Sequence, residues 1–214
     1  MKVLVVCDDL WHPAEVIELG LKGLPSEFEL TVVKSAKDIL TPKFIEDFAV
    51  IICCKGNVVN SANTAPWFED TVTEVAPKEF GDYIKNGGGF LSLHSGNTSK
   101  LGSAYTDLVG NYFTGHPLRN EVDVKITNSK HPVAKNVSNF QVRDEHYSIA
   151  LTCEDADIFC KTFSETGGEQ IGGYTREIGS GRLCVLTPGH TLSAWQTPDF
   201  LTLLSNAINW CAGK

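Results

Sequence analysis

The apolar positions of the chain follow two rhythms. Residues 3–9, VLVVCDD, are a β-branched apolar run ending in acid, and residues 49–57, AVIICCKGN, are apolar almost without a break. Such runs predict parallel strands covered on both faces. Residues 28–35, FELTVVKS, alternate in part and predict another strand. From Pro13 the spacing becomes helical, with Val16, Ile17, Leu19 and Leu21 available for a buried face. Residues 68–88 read as helical in part; Pro77 is placed to break or restart the helix, and the glycines from Gly87 to end it. The fourth strand, GFLSLHSG over 89–96, raises a question: an apolar run ends on an imidazole, His94, where turn-forming residues follow.

From 101 to about 140 the pattern changes. Gly, Asn, Pro and Thr are frequent and helical periodicity is weak, which predicts a loop-rich insertion with one or two short strands, such as EVDVKIT over 121–127. YSIALT, IFCKTFS and QIGGYTRE predict short antiparallel strands, and GRLCVLTPGH a strong strand with a turn. TPDFLTLLSNAINWCAG closes as an amphipathic helix, with Thr197 suited to the N-cap, Pro198 to the first helical position and Gly213 to the end. No repeat or linker divides the chain, so one α/β domain over 1–214 is expected. Its architecture is a doubly wound, mostly parallel sheet of at least five strands with helices on both faces. Ligands of such sheets gather beyond the carboxyl ends of the strands.

Composition narrows the partners. The net charge of −8 argues against nucleic acid or an anionic membrane surface and fits a protein that handles small molecules. The seven cysteines include Cys7, Cys53, Cys54 and Cys184 inside apolar runs, which is buried-thiol usage rather than a disulfide framework. CEDADIFC, over 153–160, lacks the spacing of a zinc clip. The N-terminal MKVLVVCDD does not read as a signal peptide and no apolar run approaches the ~20 residues of a membrane span, so a cytoplasmic location is expected. A homo-oligomer is compatible with the sequence.

Candidate chemistry clusters at strand ends. His94 and His190 each follow a convincing strand; DDLWHPAE places Asp8, Asp9 and His12 in the exit loop of the first; RDEHYS groups Asp144, Glu145, His146 and Tyr147; FTGHP places His116 in the insertion. A lone loop histidine is more often a hydrogen-bonding residue than a catalyst, and His131 is read that way. Acid pairs such as Asp8–Asp9 are more often caps, and Trp195 and Trp210 more often packing residues. Neighbouring strands would bring His94 and His190 together, with Glu145 or His12 reaching them. Two imidazoles and a carboxylate can hold a divalent metal such as zinc, or act as general acid and base on a sugar or carbonyl compound. No close-spaced motif decides between these two.

The stretches GGGFLSLHSG, DEHY and GSGRLCVLTPGH…W…F…NAINW resemble the trehalose-utilisation (ThuA-like) family. The resemblance runs from the first strand to the last helix and is most specific over 87–96 and 179–210. It implies the class I glutamine amidotransferase-like fold, a flavodoxin-like doubly wound sheet. An amidotransferase carries a nucleophilic cysteine in a Gly-x-Cys-x-Gly elbow. Here that stretch reads Ser92-Leu93-His94-Ser95-Gly96, and His190-Thr191-Leu192 lacks the proline and glutamate that follow the amidotransferase histidine. Glutamine hydrolysis is therefore rejected. The resemblance implies instead a carbohydrate-active enzyme of sugar or keto-sugar catabolism, by hydrolysis, elimination or isomerisation. His94, His190 and Glu145 are its candidate catalytic residues or metal ligands. His12, Ser95, His116 and Tyr147 are its candidate substrate-binding residues. Two rivals are a non-catalytic sugar-binding or regulatory module, and a hydrolase with Ser95 as nucleophile and His190 as base.

Overall fold

In a computed structural model of the protein, residues 1–9, 11–34, 36, 39–56 and 77–214 are described. Their strands are β1 (Lys2–Val6), β2 (Glu29–Val33), β3 (Val50–Cys53), β4 (Gly89–Leu93), β5 (Asn111–Gly115), β6 (Asn120–Ile126), β7 (Phe140–Asp144), β8 (Ser148–Leu151), β9 (Asp157–Ser164), β10 (Gly168–Ile178) and β11 (Gly181–Leu186). The helices are α1 (Ala14–Leu21), α2 (Pro42–Ile45), α3 (Pro77–Lys85), α4 (Ala104–Val109), α5 (Leu192–Trp195) and α6 (Pro198–Cys211). Nine of the strands form one mixed sheet in the order β2-β1-β3-β4-β11-β10-β9-β6-β7. The first five in that order run parallel and the rest are antiparallel. This is the flavodoxin-like parallel sheet extended at one edge. β5 and β8 form a separate antiparallel pair.

The continuous apolar strands are buried on both sides, as their sequences require: β3, β4 and most of β1 have no exposed position after Lys2. Alternate residues of β1 divide between two clusters. Val3 and Val5 pack with Ile17 and Leu21 of α1 and with Phe200, Leu203 and Leu204 of α6. Leu4 and Val6 pack with Phe80 and Ile84 of α3 and Leu108 of α4. Leu19 departs from the expected apolar face and is exposed. The buried position beside it is Gly20, where an added Cβ would meet Trp195, so close contact between α1 and α5 takes the place of an apolar side chain.

Residues 101–140 carry α4, β5 and β6, joined by loops. α4 has six residues, too few to show a helical period; Ser103 caps it and Gly110, at φ 85°, ends it. α3 begins at Pro77, and the part of the helical stretch before it lies outside the described residues, as does Asn57 beyond β3. α6 has Thr197 at its N-cap and Pro198 in its first turn, although the Thr197 hydroxyl donates to Ser193 O instead of capping. All seven cysteines are free, and no described helix is long and apolar enough to cross a membrane. For the site, the parallel half matters most: the loops after β1, β4 and β11 leave the same edge of the sheet.

Candidate metal centre

The β4 exit is a sharp elbow. The chain turns through one 3₁₀ turn, His94–Asn97, and His94 itself has φ 44°, in the left-handed region. A residue with a Cβ is held there at a cost of about 1–2 kcal/mol. The surroundings enforce it. Asn97 accepts from the Ser92 hydroxyl and donates to Leu186 O, and a Cβ on Gly96 would collide with Cys53 O. His94 Nδ1 lies 2.7 Å from Thr187 O, which can only accept, so Nδ1 carries the proton. Its Nε2 lone pair is left buried and, among the described residues, without a hydrogen-bond partner.

The β11 exit presents His190. Asp144, fully buried at the end of β7, accepts from the amides of Gly189 (2.7 Å), His190 (3.0 Å) and Thr191 (3.0 Å). Trp195 Nε1 donates to Gly189 O at 2.8 Å. The next residue after Asp144 is Glu145, so one short segment both fastens the His190 loop and supplies a carboxylate to the site. His190 Nδ1 lies 3.0 Å from Glu145 Oε2, without the geometry of a hydrogen bond.

The β1 exit presents His12. Asp9 Oδ1 accepts from His12 Nδ1 at 2.6 Å and from the Trp11 and His12 amides, while Oδ2 accepts from Gly56 N at 2.7 Å. Burial pushes the Asp9 carboxyl up, but these bonds outweigh it and hold the group below its usual range. Burial, chiefly, pushes His12 down, which favours the neutral imidazole. With Nδ1 protonated toward Asp9, its Nε2 lone pair faces the Tyr147 hydroxyl at 3.1 Å.

One donor atom from each of His12, His94, Glu145 and His190 lies within 4.8 Å of the others. The Glu145 carboxyl is opposed by burial but held well below the usual range by the His190 and His94 imidazoles, with His116 adding to the effect. That effect requires imidazoles that donate, whereas His94, protonated on Nδ1, leaves an Nε2 lone pair 3.7 Å from Glu145 Oε2. Lone pairs converging on one point repel unless a cation lies between them. The outer bonds match as well: His12 and His94 each turn the other ring nitrogen to a carboxylate or a carbonyl, the arrangement that orients metal-ligating histidines. The donor set therefore fits a divalent ion of the zinc or manganese kind.

Toward solvent the site is lined by different groups. Tyr147 is buried, stacks on His94 with centroids 3.9 Å apart and continues to His116 at 5.5 Å. His116 Nε2 lies 3.6 Å from Glu145 Oε2 and Arg119 Nε 3.7 Å from Oε1, with side chains 32% and 53% exposed. Trp11, beside His12, is exposed.

Six of the seven residues singled out from sequence meet here: His12, His94, His116, Glu145, Tyr147 and His190. Ser95 is buried one residue past the elbow apex, and among the described residues no hydrogen bond links it to an imidazole. His131 lies elsewhere, accepting from Val133 N and bonding Thr175 Oγ1. The sequence reading passed over Asp9 as a cap, and missed Asp144 as the anchor of His190 and Arg119 at the rim. Only the first had a legible signal, an acid three residues before a strand-end histidine.

A protein described as ThuA-like from Parabacteroides merdae shares the fold, with a TM-score of 0.75 at 18% identity over 100% of this chain and 90% of that one. A second ThuA-like protein, from Bacteroides uniformis, gives 0.72 at 18% identity over 99% and 91%. A cytoplasmic protein from Salmonella typhimurium gives 0.67 at 12% identity over 99% of both chains. No curated protein matches the sequence. The family model for trehalose utilisation, ThuA, matches residues 3–211, and the chain belongs to that family.

Proposed function

We propose that the chain is an enzyme of sugar utilisation that acts on a sugar or keto-sugar, with a divalent cation held by His12, His94, Glu145 and His190. The observation that carries this reading is the convergence of three imidazoles and one carboxylate, with His94 Nε2 and His190 Nδ1 both buried and, among the described residues, without a hydrogen-bond partner. The family supports the substrate class. When bound, such an ion supplies Lewis acidity toward a carbonyl or hydroxyl oxygen. The protein's own groups divide the remaining work. Asp9 and Thr187 O fix the tautomers of His12 and His94. Glu145, held as an anion, serves as ligand and not as general acid. His116 and Arg119, at the rim, are the groups a sugar meets on entry.

The test has two parts. Elemental analysis of the purified protein, and calorimetric titration of the chelator-treated protein with zinc and manganese, should show one ion per chain in the wild type and none in His94→Ala or His190→Ala. Assays on a panel of glycosides and 3-keto-glycosides should show turnover that chelator removes and the ion restores. Turnover that ignores chelator would return the imidazoles to acid–base roles. Sugar binding without turnover would favour the non-catalytic module.

A further inference from the structure

We infer that Tyr147 is a gated hydrogen-bond donor: its hydroxyl competes with the cation for the Nε2 lone pair of His12, and is released to an oxygen of the bound sugar once His12 is engaged. The inference rests on the cation reading above and adds to it a role for a residue outside the ligand set.

The geometry leaves His12 one lone pair for two claimants. A 2.6 Å contact between Nδ1 and a carboxylate oxygen places the ring proton on Nδ1. Nε2 is then a single acceptor, and Tyr147 Oη lies 3.1 Å from it. Among the described residues this is the one hydrogen bond the Tyr147 hydroxyl makes. Nε2 cannot accept a phenolic proton and ligate a cation with the same electron pair. His12 nevertheless belongs to the group whose donor atoms lie within 4.8 Å of one another.

The ring cannot withdraw when the lone pair is taken. Tyr147 is 2% exposed and packed against three rings: His94, at 3.9 Å and 30°, His116, at 5.5 Å and 22°, and Phe113, at 4.7 Å. Only the O–H bond is free to rotate. A buried hydroxyl deprived of its acceptor is unfavourable, so the released proton favours a ligand that brings an oxygen to that point. A carbonyl or hydroxyl oxygen of a sugar is such a ligand. Ion and sugar would therefore bind with positive coupling through one phenol.

The sign of the effect makes the test sharp. Chelator-treated full-length protein is titrated with Zn²⁺ by calorimetry, without sugar. Tyr147→Phe removes the competing donor and should lower the Zn²⁺ dissociation constant roughly three- to tenfold, the worth of one net hydrogen bond. Asp9→Asn loses the carboxylate that orients His12 and should raise it roughly tenfold or more. The Co²⁺ absorption spectrum of Tyr147→Phe should match that of the wild type, since the phenol is not a ligand. A tyrosine ultraviolet difference signal should accompany Zn²⁺ addition to the wild type and be absent from the variant. Unchanged or weaker Zn²⁺ binding by a folded Tyr147→Phe overturns the inference, as does an altered Co²⁺ spectrum or a wild type with no tyrosine difference signal. A wild type that binds no ion at all sinks the cation reading itself, a distinct outcome.

Discussion

Asp144 holds His190 by its backbone and not by its ring: the carboxylate accepts the His190 amide together with those of Gly189 and Thr191. The acid immediately before Glu145 thus fixes where the imidazole opposite Glu145 can stand. Replacing Asp144 by alanine leaves these amides without an acceptor. The variant should lose about 3 kcal/mol or more of stability in urea unfolding, since hydrogen bonds to charged groups contribute about 1.5–3 kcal/mol each. Asp144→Asn keeps one acceptor oxygen and should lose less.

The elbow offers a cleaner comparison. His94→Ala and His94→Gly both remove the imidazole, but only glycine adopts φ 44° without strain. The glycine variant should be more stable than the alanine variant by roughly 1 kcal/mol, read as a shift in denaturation midpoint at constant slope. Equal stabilities would mean that the elbow relaxes once the ring is gone.

Ion loading should appear as stability. At an ion concentration of one hundred dissociation constants the gain is about 2.7 kcal/mol. Glu145→Gln should lose most of it at the same concentration. The gain should also shrink as pH falls through the histidine range, because the ligands must be unprotonated. Thermal melts with and without zinc, at several pH values, measure each point.

Two histidines whose rings bond groups other than the site residues, His131 and His146, set a further pH dependence. Burial pushes His131 down, only partly opposed by Asp157, and pushes His146 down, partly opposed by a hydrogen bond that its ring donates to the Thr162 backbone. The unfolded chain therefore takes up protons first. Their contribution is fully present above the ordinary value of 6.5 and lost as pH falls below it toward the lowered folded values. The melting temperature of the ion-free protein should drop between about pH 7 and pH 5. His131→Gln, which retains a donor for Thr175, should show a shallower slope; an unchanged slope would remove His131 from the account.

The parallel half of the sheet was legible because burial on both faces leaves continuous apolar text, and His94 and His190 stood out because each interrupts such text at a strand end. Glu145 and Tyr147 were visible as a cluster, but nothing local ties residues 144–147 to the loops after β1 and β11. That link is made by β7 at the far antiparallel edge and by three backbone amides, which carry no side-chain signature. The pairing of β5 with β8 was hidden for the same reason, being non-local. The sequence suggests His12 as a substrate group; its place among the possible ligands depends on a β1 loop closing over β4, which one sequence does not record.

The strand order has a consequence for biosynthesis. β11 lies between β4 and β10, near the middle of the sheet, yet in the chain it follows the other eight strands of that sheet. Until Arg182 comes to lie beside Gly89, one side of the apolar strand GFLSL has no partner. The β4 edge therefore stays unpaired while the residues between Leu93 and Gly181 are made, the kind of surface that recruits other chains, whereas β10 meets β11 across a short turn. Closing that gap also brings His190 to the elbow, so the same event that silences the sticky edge completes the cluster of His12, His94, Glu145 and His190.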